Sequence, residues 1–252
     1  MSILSNRQGA RTINKQFSMN IILSGASSGV GFEAVIELIA NRHHQIIALA
    51  RTEEKLNKLQ EIAFALNPGC NLYVLKFDIA HDSYENILIP YLKQKLGTVD
   101  VLINNAGSLI KKSFMQTTQL DFAEMLQNNL LGHINMIQHL APLMPPKSHI
   151  LNIGSMGGFQ GSVKFPGLAA YSASKAALHA LTECLAIEFA DKQIAVNCLA
   201  LGSAQTEMLE KAFPDYQSPV LAFEMGKYIA DFALSGHKFF NGKIIPVAHT
   251  TP

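Results

Sequence analysis

The chain is poor in charge, in cysteine and in long apolar runs, and each scarcity excludes something. Only 15% of its 252 residues are charged while 48% are apolar, a balance that fits a packed core rather than a disordered chain. The formal net charge is +1 and no long basic run occurs, which argues against nucleic acid as a main partner. No uninterrupted apolar stretch reaches the roughly 18 residues that span a bilayer, so no membrane partner is expected. The cysteines, Cys70, Cys184 and Cys198, have no CxxC spacing and sit inside apolar runs. They read as buried, reduced thiols of a cytoplasmic protein. The histidines are scattered without an HxxxH or HExxH pattern, which leaves a metal centre with little support.

What is present is an alternation. From Asn20 onward, short β-rich runs separate longer helical patterns. The candidate strands are Asn20–Ser24, Gln45–Ala50, Asn71–Phe77, Val99–Ile103, His149–Ile153, Ile194–Ala200 and Lys243–Val247. Helical segments lie between them, for example Gly31–Asn41, Glu53–Leu66, Leu120–Met144 and Ala170–Ala190. The strands are continuously apolar rather than alternating, as parallel strands covered on both faces are. This predicts an α/β fold: a single-domain, doubly wound parallel sheet of about seven strands, Rossmann-like, with helices on both faces and ligands at the carboxyl ends of the strands. Residues 1–18 differ, carrying Arg7, Arg11 and Lys15 and no acidic residue. They read as a loosely held leader, with a targeting stretch or an alternative start at Met19 as competing readings. The domain is placed at residues 19–252, with a substrate segment near 203–226.

Directly after the first strand comes Ser24-Gly25-Ala26-Ser27-Ser28-Gly29-Val30-Gly31, running into a helix. Glycines let the backbone turn tightly and approach a pyrophosphate, and the helix N-terminus offers free N–H groups and partial positive charge. The spacing is GxxxGxG rather than GxGxxG, and an ordinary strand-to-helix turn is the competing reading. An NAD-binding chain would place a carboxylate after its second strand; here Arg51 stands there. Arginine pairs with a 2′-phosphate, so Arg51 points to NADP(H) in preference to NAD(H), against a solvated loop arginine. Asp78, followed by Ile79 at the end of the third strand, either accepts from an adenine amino group or caps its own loop.

Tyr171 and Lys175 are four apart at the start of a helical run and so share a face. An ammonium beside a phenol favours the phenolate and makes tyrosine a usable acid or base. Ser155 follows the fifth strand, where a hydroxyl can hold a substrate oxygen; Ile153 in place of glycine rules out a GxSxG hydrolase elbow. Singly, each has a commoner fate as a surface pair or a turn serine.

Together, and with Ile103-Asn104-Asn105-Ala106-Gly107 closing the fourth strand, these motifs resemble the short-chain dehydrogenase/reductase family over roughly Met19 to Thr206. The resemblance implies dinucleotide binding by Gly25, Ser27, Ser28, Gly29, Val30, Gly31, Asn105, Ala106, Gly107, Gly202 and Thr206, and a catalytic tetrad of Asn129, Ser155, Tyr171 and Lys175. Tyr171 and Lys175 would also touch the cofactor, and Asn129 would position a water in a proton relay. Two departures stand out. Leu201-Gly202 replaces the family's Pro-Gly, which is expected to loosen that turn, and Ile245–His249 lacks the usual Asp-Gly-Gly. Phe159, Phe165, Met208 and Phe213 are expected to line an apolar substrate pocket.

The implied activity is hydride transfer between nicotinamide and the carbonyl or alcohol carbon of a small molecule. A dinucleotide-sensing protein without turnover is the alternative, disfavoured because both Tyr171 and Lys175 are present. A sugar-nucleotide epimerase-like reading lacks an extra substrate domain. The apolar residues of Leu120–Met144 and Ala170–Ala190 exceed what one sheet face needs, so a homodimer or homotetramer is expected.

Overall fold

A computed structural model describes residues 18–40 and 43–248; the expectations for residues 1–17, Asn41 and His249 lie outside the described residues. Seven strands form one parallel sheet in the order β3-β2-β1-β4-β5-β6-β7. They are β1 (Asn20–Ser24), β2 (Gln45–Ala50), β3 (Asn71–Lys76), β4 (Val101–Asn104), β5 (His149–Ser155), β6 (Ala195–Leu201) and β7 (Ile244–Val247). The doubly wound parallel sheet expected from the alternating pattern is therefore the fold. β4 joins β1 on the side away from β2, so the winding reverses there. That reversal opens a crevice at the carboxyl ends of β1 and β4.

Side-chain alternation along each strand fills two cores. Ile21 and Leu23 of β1 pack with α1 (Gly29–Leu38), α2 (Glu53–Leu66) and α8 (Ala222–Ser235). Ile22 between them packs on the other face with α3 (Ile89–Lys95), α5 (Gly132–Leu140) and α6 (Ala169–Glu188). Burial on both sides is why the strands are unbroken apolar runs, each buried Ile or Leu contributing about 1.5–3 kcal/mol. Among the described residues no helix is long and apolar enough to cross a membrane. Cys70 and Cys198 are buried as expected, but Cys184 on α6 is exposed, because an apolar run on a helix still turns some of its residues to solvent.

Several strand ends shift by one or two residues from expectation, and three differences bear on the site. β5 runs on past Ile153 to Ser155, and β6 past Ala200 to Leu201, because Leu201 pairs with both Ser155 and Val247. Leucine in place of proline keeps its N–H, and Gly202 N–H also bonds Val247 O at 2.8 Å. The turn is tied down rather than loosened. The run expected at Leu120–Met144 is α4 (Gln119–Leu126), then a wide turn Gln127–Leu131, then α5. In the wide turn Gly132 N–H reaches back five residues to Gln127 O, a π insertion of the kind that concentrates at functional sites. The substrate segment holds one short helix, α7 (Glu207–Ala212), ahead of α8.

Candidate active site

The turn after β1 is shaped by two close approaches. Gly25 and Gly29 have φ of +74° and +57°, the left-handed region that glycine enters without strain. A Cβ on Gly25 would lie 2.7 Å from Ala106 Cα, and one on Gly31 would lie 2.4 Å from Gly25 O. Asn105 fastens the turn: its Nδ2 donates to Ser24 O at 3.1 Å and to Gly25 O at 3.0 Å. In return Ser24 Oγ accepts from the N–H groups of Asn105 and Ala106 at 3.1 and 3.2 Å. Ser28 caps α1 without a side-chain bond, and the helix has no acidic residue in its first turn. Its N–H groups and positive dipole end therefore face the crevice uncompensated, a cradle that fits a pyrophosphate.

Every residue named above as catalytic or cofactor-binding lines one cleft of about 410 Å³, from Arg51, Asp78 and Ile79 at one end to Ser155, Tyr171 and Lys175 at the other. Lys55, Ser108, Asn128 and Glu207 line it too. Asp78 Oδ1 accepts Ala80 N–H at 2.9 Å, so the loop-capping reading holds while the residue still borders the cleft.

At that second end, Tyr171 and Lys175 stand on successive turns of α6, and Ser155 ends β5. Lys175 is buried and its Nζ donates to Ile153 O at 2.8 Å. Ser155 Oγ accepts Gly157 N–H at 3.1 Å, which leaves its own hydrogen for another acceptor. Asn129, in the wide turn, is fully occupied: Oδ1 accepts Ser108 N–H at 2.9 Å, and Nδ2 donates to Ser108 O and Ser174 Oγ, each at 3.0 Å. It clamps the loop after β4 to α6. Burial pushes the Tyr171 phenol up, the Ser155 hydroxyl partly opposing it, and pulls Lys175 down to about 8. In this structure the phenol is raised rather than lowered, because burial disfavours both charged forms.

Residues 19–217 match the model of the short chain dehydrogenase family. The chain belongs to that family. This dehydrogenase is 32% identical over 206 residues to the NADPH-dependent pterin aldehyde reductase of Arabidopsis thaliana, across 79% of this chain and 82% of that one. It is 34% identical over 190 residues to carbonyl reductase family member 4 of Danio rerio, across 74% and 76%. A short chain dehydrogenase from Burkholderia cenocepacia, solved in complex with NADP, shares the fold with a TM-score of 0.81 at 23% identity, across 92% and 96%.

Behind Ser155 and Lys175 of this short chain dehydrogenase lie buried histidines. His133 Nε2–H donates to Ala106 O at 2.7 Å, and burial, with Lys175 adding to it, pulls the ring down to about 3. His179, one turn beyond Lys175, is pulled to about 4 by burial and by the same ammonium. A Cβ on Gly154 would lie 2.4 Å from His179 Nε2, so a glycine at the end of β5 lets this ring pack behind Lys175. Of the four residues expected to line a substrate pocket, Met208 lines this cleft, whereas Phe165 and Phe213 meet edge to face at 6.2 Å outside its wall. Lys111 Nζ stands 3.9 Å from the Phe213 ring centre and donates to Ala212 O, tying the loop after β4 to α7. Phe159 instead packs edge-on against His179 at 6.4 Å and is not part of the cleft wall, contrary to expectation.

Proposed function

We propose that this protein is an NADP(H)-dependent carbonyl reductase or alcohol dehydrogenase acting on an uncharged, partly apolar small molecule. One observation carries the reading: the phosphate cradle, Arg51 and the Ser155–Tyr171–Lys175 group share a single cleft. The names of the Arabidopsis and zebrafish relatives support it. Gly25–Gly31 and the α1 terminus would hold the pyrophosphate, Asp78 and Ile79 the adenine, and Asn105–Gly107, Gly202 and Thr206 the nicotinamide half. When bound, nicotinamide supplies the hydride for reduction and takes it back in oxidation.

The remaining chemistry belongs to the chain. Ser155 donates its hydroxyl hydrogen to the substrate oxygen and holds it beside Tyr171. The Tyr171 hydroxyl then gives its proton to that oxygen, or takes one from an alcohol. Lys175 has one N–H on Ile153 O and two left to hold a ribose hydroxyl and stabilise the phenolate. Asn129 acts as a clamp, so any water relay through it rests on the main-chain carbonyl of the wide turn rather than its side chain.

The test is NADPH oxidation across ketones, aldehydes, quinones, sugars and acyl thioesters. Turnover on apolar carbonyls is expected, with little on phosphorylated or polycarboxylate compounds; no turnover on any class would overturn the reading. Arg51→Asp is expected to cut the NADPH-to-NADH affinity ratio about tenfold, the loss of one charge-assisted contact. The protein is also proposed to be a homodimer or homotetramer through α4–α5 and α6, which expose Leu120, Leu131 and Ile187. Light scattering at micromolar concentration should give at least twice the chain mass, and a monomeric mass would sink that part.

A further inference from the structure

Lys55 and Glu207 face each other across the cleft mouth. Lys55 stands in the first turn of α2, one turn beyond Arg51, and Glu207 is the first residue of α7. Their Nζ–Oε2 distance is 3.2 Å, with side chains 47% and 62% exposed. Both border the same cleft as Arg51, whereas Glu53 and Glu54 on the same turn of α2 do not. The start of α7 also rests on the phosphate turn: a Cβ on Gly29 would lie 3.3 Å from Thr206 Cγ2. The ion pair thus joins the adenosine side of the cleft to the segment over its substrate side.

As a stabilising device so exposed a pair is nearly idle, because water screens the attraction and ordering two long side chains offsets the rest. As a reservoir of positive charge it is well placed. A phosphate monoester carries close to two negative charges at neutral pH, and Glu207 carries one. At equal distance the dianion attracts the ammonium about twice as strongly. The lysine stem is flexible enough to exchange one partner for the other. Arg51 alone leaves a dianion half neutralised; Arg51 with Lys55 matches it.

We propose that Lys55 is a second specificity-determining cation for a 2′-phosphorylated dinucleotide, and that Glu207 is its built-in competitor. This rests on the NADP(H) reading above. Glu207 holds Lys55 at the cleft mouth until the 2′-phosphate takes it, which moderates the preference set by Arg51.

The test is titration calorimetry of the intact chain with NADPH and NADH. Lys55→Met is expected to weaken NADPH about fivefold, one exposed charge contact, and to move NADH by less than about twofold. Glu207→Gln is expected to tighten NADPH about two- to threefold by removing the competitor, again with NADH nearly unmoved. Lys55→Arg should keep the parent ratio. Equal weakening of both dinucleotides by Lys55→Met would show a strut for α7 rather than a phosphate reader and would overturn the proposal, as would an unchanged ratio. Should the parent bind neither dinucleotide, the reading of the cleft itself falls and this pair with it. A parent that binds both, with variants that do not alter the ratio, removes only the pair.

Discussion

Tyr171→Phe is expected to lower turnover about a thousandfold while leaving NADPH affinity within about threefold of the parent. The substitution removes one oxygen and leaves the ring that packs against Gly157, whose added Cβ would lie 3.7 Å from Tyr171 Cε1. What disappears is the proton that must reach the substrate oxygen as hydride arrives at carbon. No neighbour can replace it. Ser155 has a hydroxyl but no base behind it, its oxygen being bonded to Gly157 N–H. Lys175 is buried with its ammonium on Ile153 O. The loss of that proton donor places the expected effect within the range of about a hundred- to ten-thousandfold for a general acid. Steady-state rates with the best carbonyl from the screen, alongside NADPH titration and circular dichroism, decide it. A folded variant within about tenfold of parent turnover would remove Tyr171 from the chemistry.

Much of this architecture is legible from the chain because local pattern and tertiary demand agree. β1 and β2 read as strands since Ile21, Ile22 and Leu23 are each needed by one core or the other. The ends of β5 and β6 are not legible, because Ser155 and Leu201 extend the strands only by pairing with each other and with Val247, far away in sequence. The wide turn at Gln127–Leu131 is hidden for the same reason: the sequence reads as helix throughout, and the insertion goes with clamps that Asn129 makes to Ser108 and Ser174. Arg51 stands out at a strand end, where the architecture places ligands. Lys55 does not, since a lysine in Arg-Thr-Glu-Glu-Lys looks like any solvated helix residue until Glu207 arrives from 152 residues away. Tyr171 and Lys175 show their spacing in sequence but not their burial, and burial reverses the direction in which the phenol was expected to move.

Lowering the pH from 7 to 5 is expected to cost the fold about 4 kcal/mol, a large share of the 5–15 kcal/mol that holds a domain together. Two fully buried histidines set the figure. His133 is held to about 3 by burial and Lys175, and His149 to about 4 by burial and His237, with the bond to Ala233 O partly opposing. His149 has both ring nitrogens in use, Nδ1–H donating to Ala233 O at 2.9 Å and Nε2 accepting from Asn197 Nδ2 at 3.2 Å. Protonating it would expel the Asn197 amide. In the unfolded chain each ring has a pKa of about 6.5. Between pH 7 and 5 the unfolded chain therefore takes up protons that the folded chain refuses, and stability falls as pH falls, by about 2 kcal/mol per ring. The loss begins near pH 6.5 and is complete only below the folded values. His179, His44 and His237, also lowered by burial, add in the same direction, and Glu33, raised by burial, opposes them. Urea unfolding at pH 7 and pH 5, at fixed protein concentration and ionic strength, measures the difference. In His149→Gln, which keeps an amide donor and acceptor but cannot titrate, the loss over the same interval should shrink by about 2 kcal/mol whatever the variant's starting stability. Equal stability at the two pH values, or an undiminished loss in the variant, would show that these rings are not held neutral by the fold.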